Sequence, residues 1–105
     1  MWGQLITMQL KPGREHELPR LLAQLASIEP ADSGLVRTVV GQRRDDPSRA
    51  YVLVVFASEE LARAREQDPR RQEGLAVVRE IMGELLAAPP EFADLDVIAD
   101  EVPTR

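Results

Sequence analysis

The chain has 105 residues, 44% hydrophobic and 30% charged, with a formal net charge of -5 and no cysteine. That length supports one modest core and not two, and the balance is that of a soluble globular domain rather than a disordered or membrane-spanning chain. The negative charge disfavours nucleic acid as a partner despite the local basic segment Arg63, Arg65, Arg70, Arg71 and Arg79, and without thiols there is no disulfide, thiolate metal site or cysteine nucleophile.

From Trp2 to Leu10, the residues Trp2, Ile6, Met8 and Leu10 share one parity with Gln4, while Gly3, Leu5, Thr7 and Gln9 share the other. This predicts a strand with two unequal faces. Lys11-Pro12-Gly13 supplies a turn, after which Leu18, Leu21, Leu22, Leu25 and Ile28 recur at helical spacing until Pro30 forbids continuation. Pro19 belongs in a first helical turn, so the regular helix is expected to start later than Arg14. Beyond Asp32-Ser33-Gly34, the run Leu35 to Gln42 and the run Ala50 to Phe56 read as two antiparallel strands joined by the polar loop Arg43 to Ser48. Val52, Leu53, Val54 and Val55 are apolar on both parities, which predicts a central strand that needs cover on both faces.

Ser58 ahead of Glu59 and Glu60 opens a second helical region, since the hydroxyl caps free N–H groups and carboxylates favour the positive end. Asp68-Pro69 repeats the start signal before the stripe Leu75, Val78, Ile81, Met82, Leu85 and Leu86, so a break is expected near Asp68. Pro89-Pro90 ends this region, and Phe92, Leu95, Val97, Ile98 and Val102, interspersed with acids, read as a last strand at an exposed edge. Residues 1–102 are expected to form the domain and 103–105 a fraying tail.

The order β-α-β-β-α-β defines a ferredoxin-like α+β fold, a four-stranded antiparallel sheet with helices on one face. The other face would be left apolar, with no spare segment to cover it, so a homodimer packed sheet against sheet is expected. Met1-Trp2-Gly3-Gln4 shows no leader pattern and no run reaches bilayer length, giving an expected cytoplasmic protein without membrane or nucleic-acid partners.

Several short motifs occur here in a telling order: Lys11-Pro12-Gly13 after the first strand, Asp46-Pro47-Ser48-Arg49 in the hairpin, and Phe56-Ala57-Ser58-Glu59-Glu60 before the second helix. With the Asp68-Pro69 break and Pro89-Pro90, they make the chain resemble the antibiotic biosynthesis monooxygenase family over nearly its whole length. The resemblance implies a dimeric α+β barrel and, as in some members, oxidation of polycyclic aromatic substrates by dioxygen without metal or flavin. Other similar proteins degrade haem, act on quinols or signalling molecules, or have no assigned activity. Family members often carry tryptophan, and commonly glutamate two residues earlier, where this chain has Phe56 and Val54. Histidines often found around the helical break correspond here to Arg65 and Arg70. Haem-degrading relatives depend on asparagine, tryptophan and histidine in the pocket, whereas this chain has no asparagine, one tryptophan at position 2 and one histidine at position 16. A haem-degrading role is not expected.

Oxygenase chemistry of the implied kind needs a proton acceptor and a group that stabilises the resulting anion. His16 has the intrinsic pKa for the first task, and Arg37, Arg65 or the Tyr51 hydroxyl could serve the second. Trp2, Gln4, Ile6, Phe56 and Arg65 are the expected pocket lining. Each also has a plainer reading. His16 lies in the alternating charges Arg14-Glu15-His16-Glu17, Arg37 can pair across the hairpin, and Trp2 can be hydrophobic cover. The arginine-rich helix can pair with Glu66, Glu73 and Glu80. No zinc pattern, P-loop, dinucleotide glycine motif or triad is present, so no cofactor is expected. Three functions remain: a cofactor-independent monooxygenase acting on a small aromatic or polyketide-like molecule between sheet and helices, a noncatalytic ligand-binding dimer, and a structural interaction module.

Overall fold

A computed structural model describes residues 1–103. The expected tail thus lies, beyond Pro103, outside the described residues. The strands are β1 (Trp2–Gln9), β2 (Leu35–Gln42), β3 (Arg49–Phe56) and β4 (Glu91–Asp96). A 3-10 turn over Glu15–Glu17 leads into α1 (Leu18–Ser27), and the second helical region divides into α2 (Glu59–Glu66) and α3 (Pro69–Leu85). The sheet order is β2-β3-β1-β4, antiparallel throughout, which is the ferredoxin-like α+β fold.

Local chemistry accounts for the helix boundaries. Ser58 Oγ accepts a hydrogen bond from the Leu61 N–H at 3.1 Å, and the Asp68 carboxylate accepts from the Arg70 N–H at 2.9 Å with Pro69 beginning the helix. The expected break near Asp68 is therefore two residues, Gln67 and Asp68, between helices that are capped separately. Pro19 sits in the first turn of α1, and the 3-10 turn accounts for the late start of that helix.

Strand register sorts the side chains into two faces. Toward the helices lie the rows Leu35–Phe56–Trp2–Asp96, Thr38–Val54–Gln4–Asp94 and Val40–Val52–Ile6–Phe92. Met8, Leu10, Ala50 and Val52 on this side bury against Leu18 and Leu21 of α1 and Val78, Ile81 and Leu85 of α3. A smaller cluster, Trp2, Phe56 and Ala62, lies beneath α2. The opposite face carries Arg37–Val55–Gly3–Leu95, Val39–Leu53–Leu5–Ala93 and Gly41–Tyr51–Thr7–Glu91. A bulge between Leu35 and Arg37 sends these two residues to opposite faces. β3 is flanked by β2 and β1, as the doubly apolar run predicts, and all of β4 is exposed at the edge.

Two expectations need correction. The last strand ends at Asp96, so Val97, Ile98 and Val102 are outside it. The chain also has a spare segment. Residues 97–103 leave β4 and pass over the helix-free face, where a Cβ on Gly3 would sit 3.2 Å from Val97 Cγ2 and where Asp100 pairs with Arg37 at 3.0 Å. This strap explains why Val55 is buried although no helix covers its side of the sheet. It covers one end only: Val39 remains 51% exposed and Ile98, on the strap, 96%.

Candidate functional site

The helix layer is placed unevenly. α1 and α3 cover the Met8–Leu10 end of the sheet, α2 covers Trp2 and Phe56, and among the described residues no helix packs over β4, whose helix-side residue Phe92 is 58% exposed. Beside α2 this leaves a strip of sheet, the trough, on which Gln4 and Ile6 are half-buried and Phe92 and Asp94 exposed. Ile6 and Phe92 are register partners, as are Gln4 and Asp94, and Gln4 Nε2 donates to Asp94 Oδ1 at 3.1 Å.

Two arginines of α2, one on each side of Ala64, grip adjacent aromatic rings. The Arg63 guanidinium lies 5.0 Å from the Trp2 ring centroid, and Arg65 lies 5.2 Å from that of Phe56. The rings are themselves neighbours, with centroids 6.1 Å apart at 46°. Cations over ring faces are favoured by the ring quadrupole. Each arginine is also held by a carboxylate from another element. Arg63 Nη2 donates to Asp94 Oδ2 at 3.1 Å, with Glu59 and Glu66 of its own helix nearby. Arg65 is bidentate on Glu29, just past α1, at 2.7 and 2.9 Å.

Glu29 faces more than one cation. Burial acts to raise its carboxyl, but hydrogen bonds from Arg65 and Ser33 and the charges of Arg65 and Arg71 outweigh burial and hold it below the ordinary value of 4.5. Burial, reinforced by the neighbouring Arg65 charge, holds Arg71 below the usual arginine range, and its buried Nε has no hydrogen-bond partner. A carboxyl with a depressed folded-state pKa contributes stability that is complete above the unfolded value, about 4.5, and is lost as pH falls through the folded value. Glu29→Gln should therefore cost about 1–3 kcal/mol at pH 7 and show a smaller further loss below pH 4.5 than the wild type. Urea midpoints of both proteins measured from pH 7 to pH 3 provide the check; equal acid losses would remove Glu29 from the account.

The residues expected from sequence are distributed among three places. Trp2, Gln4, Ile6 and Phe56 share the helix-facing side with Arg65 above Phe56, but Trp2 and Phe56 are sealed under α2, at 6% and 2% exposure. Tyr51 and Arg37 lie on the opposite face, with Arg37 paired to Asp100 rather than across the hairpin. His16 is exposed in the 3-10 turn, separated from Trp2 by the length of β1, roughly 24 Å at ~3.4 Å per residue. His16, Arg37 and Tyr51 are thus not brought together. Arg63, Asp94, Phe92 and Glu29 are the participants that sequence reading missed. The only sequence signal for Arg63 is its helical spacing from Glu59 and Glu66.

Two surface hollows flank this region. One of about 360 Å³ lies at the end of α3 between Met82, Leu86 and Pro89-Pro90, the two prolines that lead into β4. The other, about 200 Å³, is lined by Asp32, Ser33, Leu61, Arg65, Asp68 and Arg70 on the side of α2 away from β4. Hydrogen bonds from the side chain and N–H of Arg70 hold the Asp68 carboxyl below its ordinary range, which fixes the break between α2 and α3.

A four-stranded antiparallel sheet in the order β2-β3-β1-β4, with its helices on one face, places the chain in the ferredoxin-like α+β class. The sequence profile described as antibiotic biosynthesis monooxygenase matches residues 1–77, and the chain belongs to that family. The match ends within α3; the solved structures extend the likeness through β4. A protein from Chloroflexus aurantiacus described as an antibiotic biosynthesis monooxygenase is 27% identical, with 96% of each chain covered and a TM-score of 0.71. SnoaB, a cofactor-independent oxygenase from Streptomyces nogalater, solved as a single-site variant, is 15% identical, with 94% of each chain covered and a TM-score of 0.74. A Nitrosomonas europaea protein of unknown function is 23% identical over 99% of this chain and 95% of its own, with a TM-score of 0.73. No curated protein matches the chain.

Proposed function

We propose that the chain is a homodimeric, monooxygenase-like protein that binds a hydroxylated planar aromatic against the sheet and oxidises it with dioxygen. The observation that carries this reading is the pairing of Arg63 and Arg65 with Trp2 and Phe56, which sets cations beside flat apolar rings at the edge of an uncovered trough. A planar substrate has Ile6 and Phe92 to stack on, and its ionised hydroxyl has Arg63 to face. Asp94, held on the trough floor by Gln4 and Arg63, is the proton acceptor we assign. A carboxylate is a weak base toward a simple phenol, so the substrate class is narrowed to hydroxyls acidified by extended conjugation.

The reaction balances without a further reductant. The phenolate gives an electron to dioxygen, the radical pair combines to form a C–O bond, and the O–O bond of the resulting hydroperoxide breaks as water leaves. Hydroxyarene and dioxygen become quinone and water. A noncatalytic binding dimer is the second reading, favoured by Val54 and Phe56, which present apolar groups on the helix-facing side of β3.

Oxygen uptake with a panel of hydroxynaphthalenes and hydroxyanthracenes tests the proposal. The wild type should consume oxygen, Asp94→Asn and Arg63→Gln should lose at least tenfold, and His16→Ala, Arg37→Ala and Tyr51→Phe, all outside the trough, should retain most of the rate. Binding without uptake would favour the noncatalytic reading, and neither binding nor uptake across the panel would defeat both.

A further inference from the structure

α2 buries remarkably little of itself for a helix that closes over two aromatic rings. It has eight residues, Glu59–Glu66, and its buried residue is Ala62. Five of its eight residues are charged and its apolar side chains are Leu61, Ala62 and Ala64, so hydrophobic burial contributes little to seating it. What holds it is a clasp on each long side: Arg63 to Asp94 of β4 with the Trp2 ring beneath, and Arg65 to Glu29 with the Phe56 ring beneath. Leu61 rests on Gly34 along the same flank as Glu29.

Both ends of the helix are suited to movement. At its start, Ser58 is extended and caps α2, and at its end Gln67 and Asp68 separate it from α3, with Gln72 Nε2 of α3 donating to the Glu66 carbonyl at 2.8 Å across the break. α3 is anchored by Val78, Ile81 and Leu85 in the main core, whereas the buried residue of α2, Ala62, belongs to the small Trp2–Phe56 cluster. Displacing α2 therefore breaks the two ion pairs, the Gln72–Glu66 hydrogen bond and the Leu61–Gly34 contact and uncovers two rings while the main core stays intact. From this we infer that α2 is a lid over a Trp2–Phe56 floor, latched shut by two arginine clasps, and that a ligand reaches the full aromatic surface when the clasps release. The inference rests on the reading of the trough as a ligand site, whose regulation it describes.

The structure is the closed state, and the open state is a minor population of the order of 0.1–10%, as for other two-state elements. In the ligand-free protein Glu29 and Asp94 position α2, since each holds a guanidinium that lies over one of the rings. Because Arg71 also faces Glu29, neutralising that carboxylate leaves Arg65 and Arg71 repelling each other, which pushes the lid toward open.

Trp2 is the only tryptophan in the chain, so its fluorescence reports on the lid directly. Acrylamide quenching of the ligand-free protein should be weak, and the Glu29→Gln/Asp94→Asn double variant should raise the quenching constant at least threefold. Hydrogen exchange should rise more over residues 57–67 than over α1 and α3. Glu84→Gln, which removes only the exposed Arg20 pair on the far side of α3, is the control and should leave quenching as in the wild type. If the double variant does not fold, Asp94→Asn alone, on the exposed edge strand, carries the test with a smaller rise. Unchanged quenching, or an exchange increase over residues 57–67 no larger than that over α1 and α3, overturns the lid. Titration with 2-naphthol separates the two ideas: raised quenching with no naphthol bound to the wild type or to any variant supports the lid and defeats the trough as a ligand site.

Discussion

Gly34→Ala is expected to lower the unfolding free energy by about 2–5 kcal/mol and to disturb α2 before any other element. Gly34 has φ +84°, a conformation in which an L side chain is strained by about 1–2 kcal/mol. A Cβ there would also lie 2.7 Å from Leu61 Cδ1 and 2.9 Å from Leu61 Cβ. Rotating the leucine side chain can move the first atom but not the second, which is fixed to the backbone of α2. The remaining overlap is relieved only by shifting the helix, at about 1–3 kcal/mol for an overpacked contact. Urea unfolding of Gly34→Ala, Leu61→Ala and the double variant separates the two contributions. The double variant should recover the steric part and keep the backbone part; a double variant no more stable than Gly34→Ala would show that Leu61 is not the obstruction.

Leu53→Asp is expected to weaken self-association at least 100-fold while leaving the single chain folded. Leu53 occupies the middle of the row Val39–Leu53–Leu5–Ala93 on the face without helices, and it is half-buried in the isolated chain, so a carboxylate there stays partly hydrated. Pressed against a second copy it would lose water with no cation opposite, a cost of about 3–5 kcal/mol, and two-fold symmetry places the defect in both copies. The strap makes this a sharper test than the bare sheet would. It already buries Val55, so whatever drives pairing comes from the central row, Leu95, and the apolar groups Ile98 and Val102 that the strap itself displays. Sedimentation velocity across a concentration series provides the measurement. A wild type that stays monomeric at high micromolar concentration would defeat the proposed dimer regardless of the variant.

The two expected results draw on different amounts of sequence information. That Leu53 is apolar on both-face strand β3 is legible in Val52-Leu53-Val54-Val55, because strand periodicity is local and a run with no polar parity needs cover on each side. The turn at Gly34 is legible too, from Asp32-Ser33-Gly34 between a helix and a strand. That Leu61 rests on it is not, since the contact joins a loop to a helix two strands later and no repeat links them.

The functional site divides in the same way. Trp2, Gln4, Ile6 and Phe56 share a face because β1 and β3 alternate, and register then sets Trp2 beside Phe56. Glu29 and Asp94 could not be found by pattern: they meet Arg65 and Arg63 across 36 and 31 residues of chain. The plain expectation for the arginines, pairs within their own helix, holds for Arg63 with Glu59 and Glu66 but misses the partner that ties it to the sheet.

Residue order alone determined the β-α-β-β-α-β succession, the helix caps at Ser58 and Asp68, the central position of β3 and the exposed edge, because each follows from spacing or from a neighbour within one turn. Tertiary structure decided where the last strand stops, that residues 97–103 fold back over the sheet, and which carboxylate each arginine takes. Those outcomes depend on distances between segments far apart in the chain, and a charged or apolar residue is indifferent in sequence to which of several partners the fold will bring within reach.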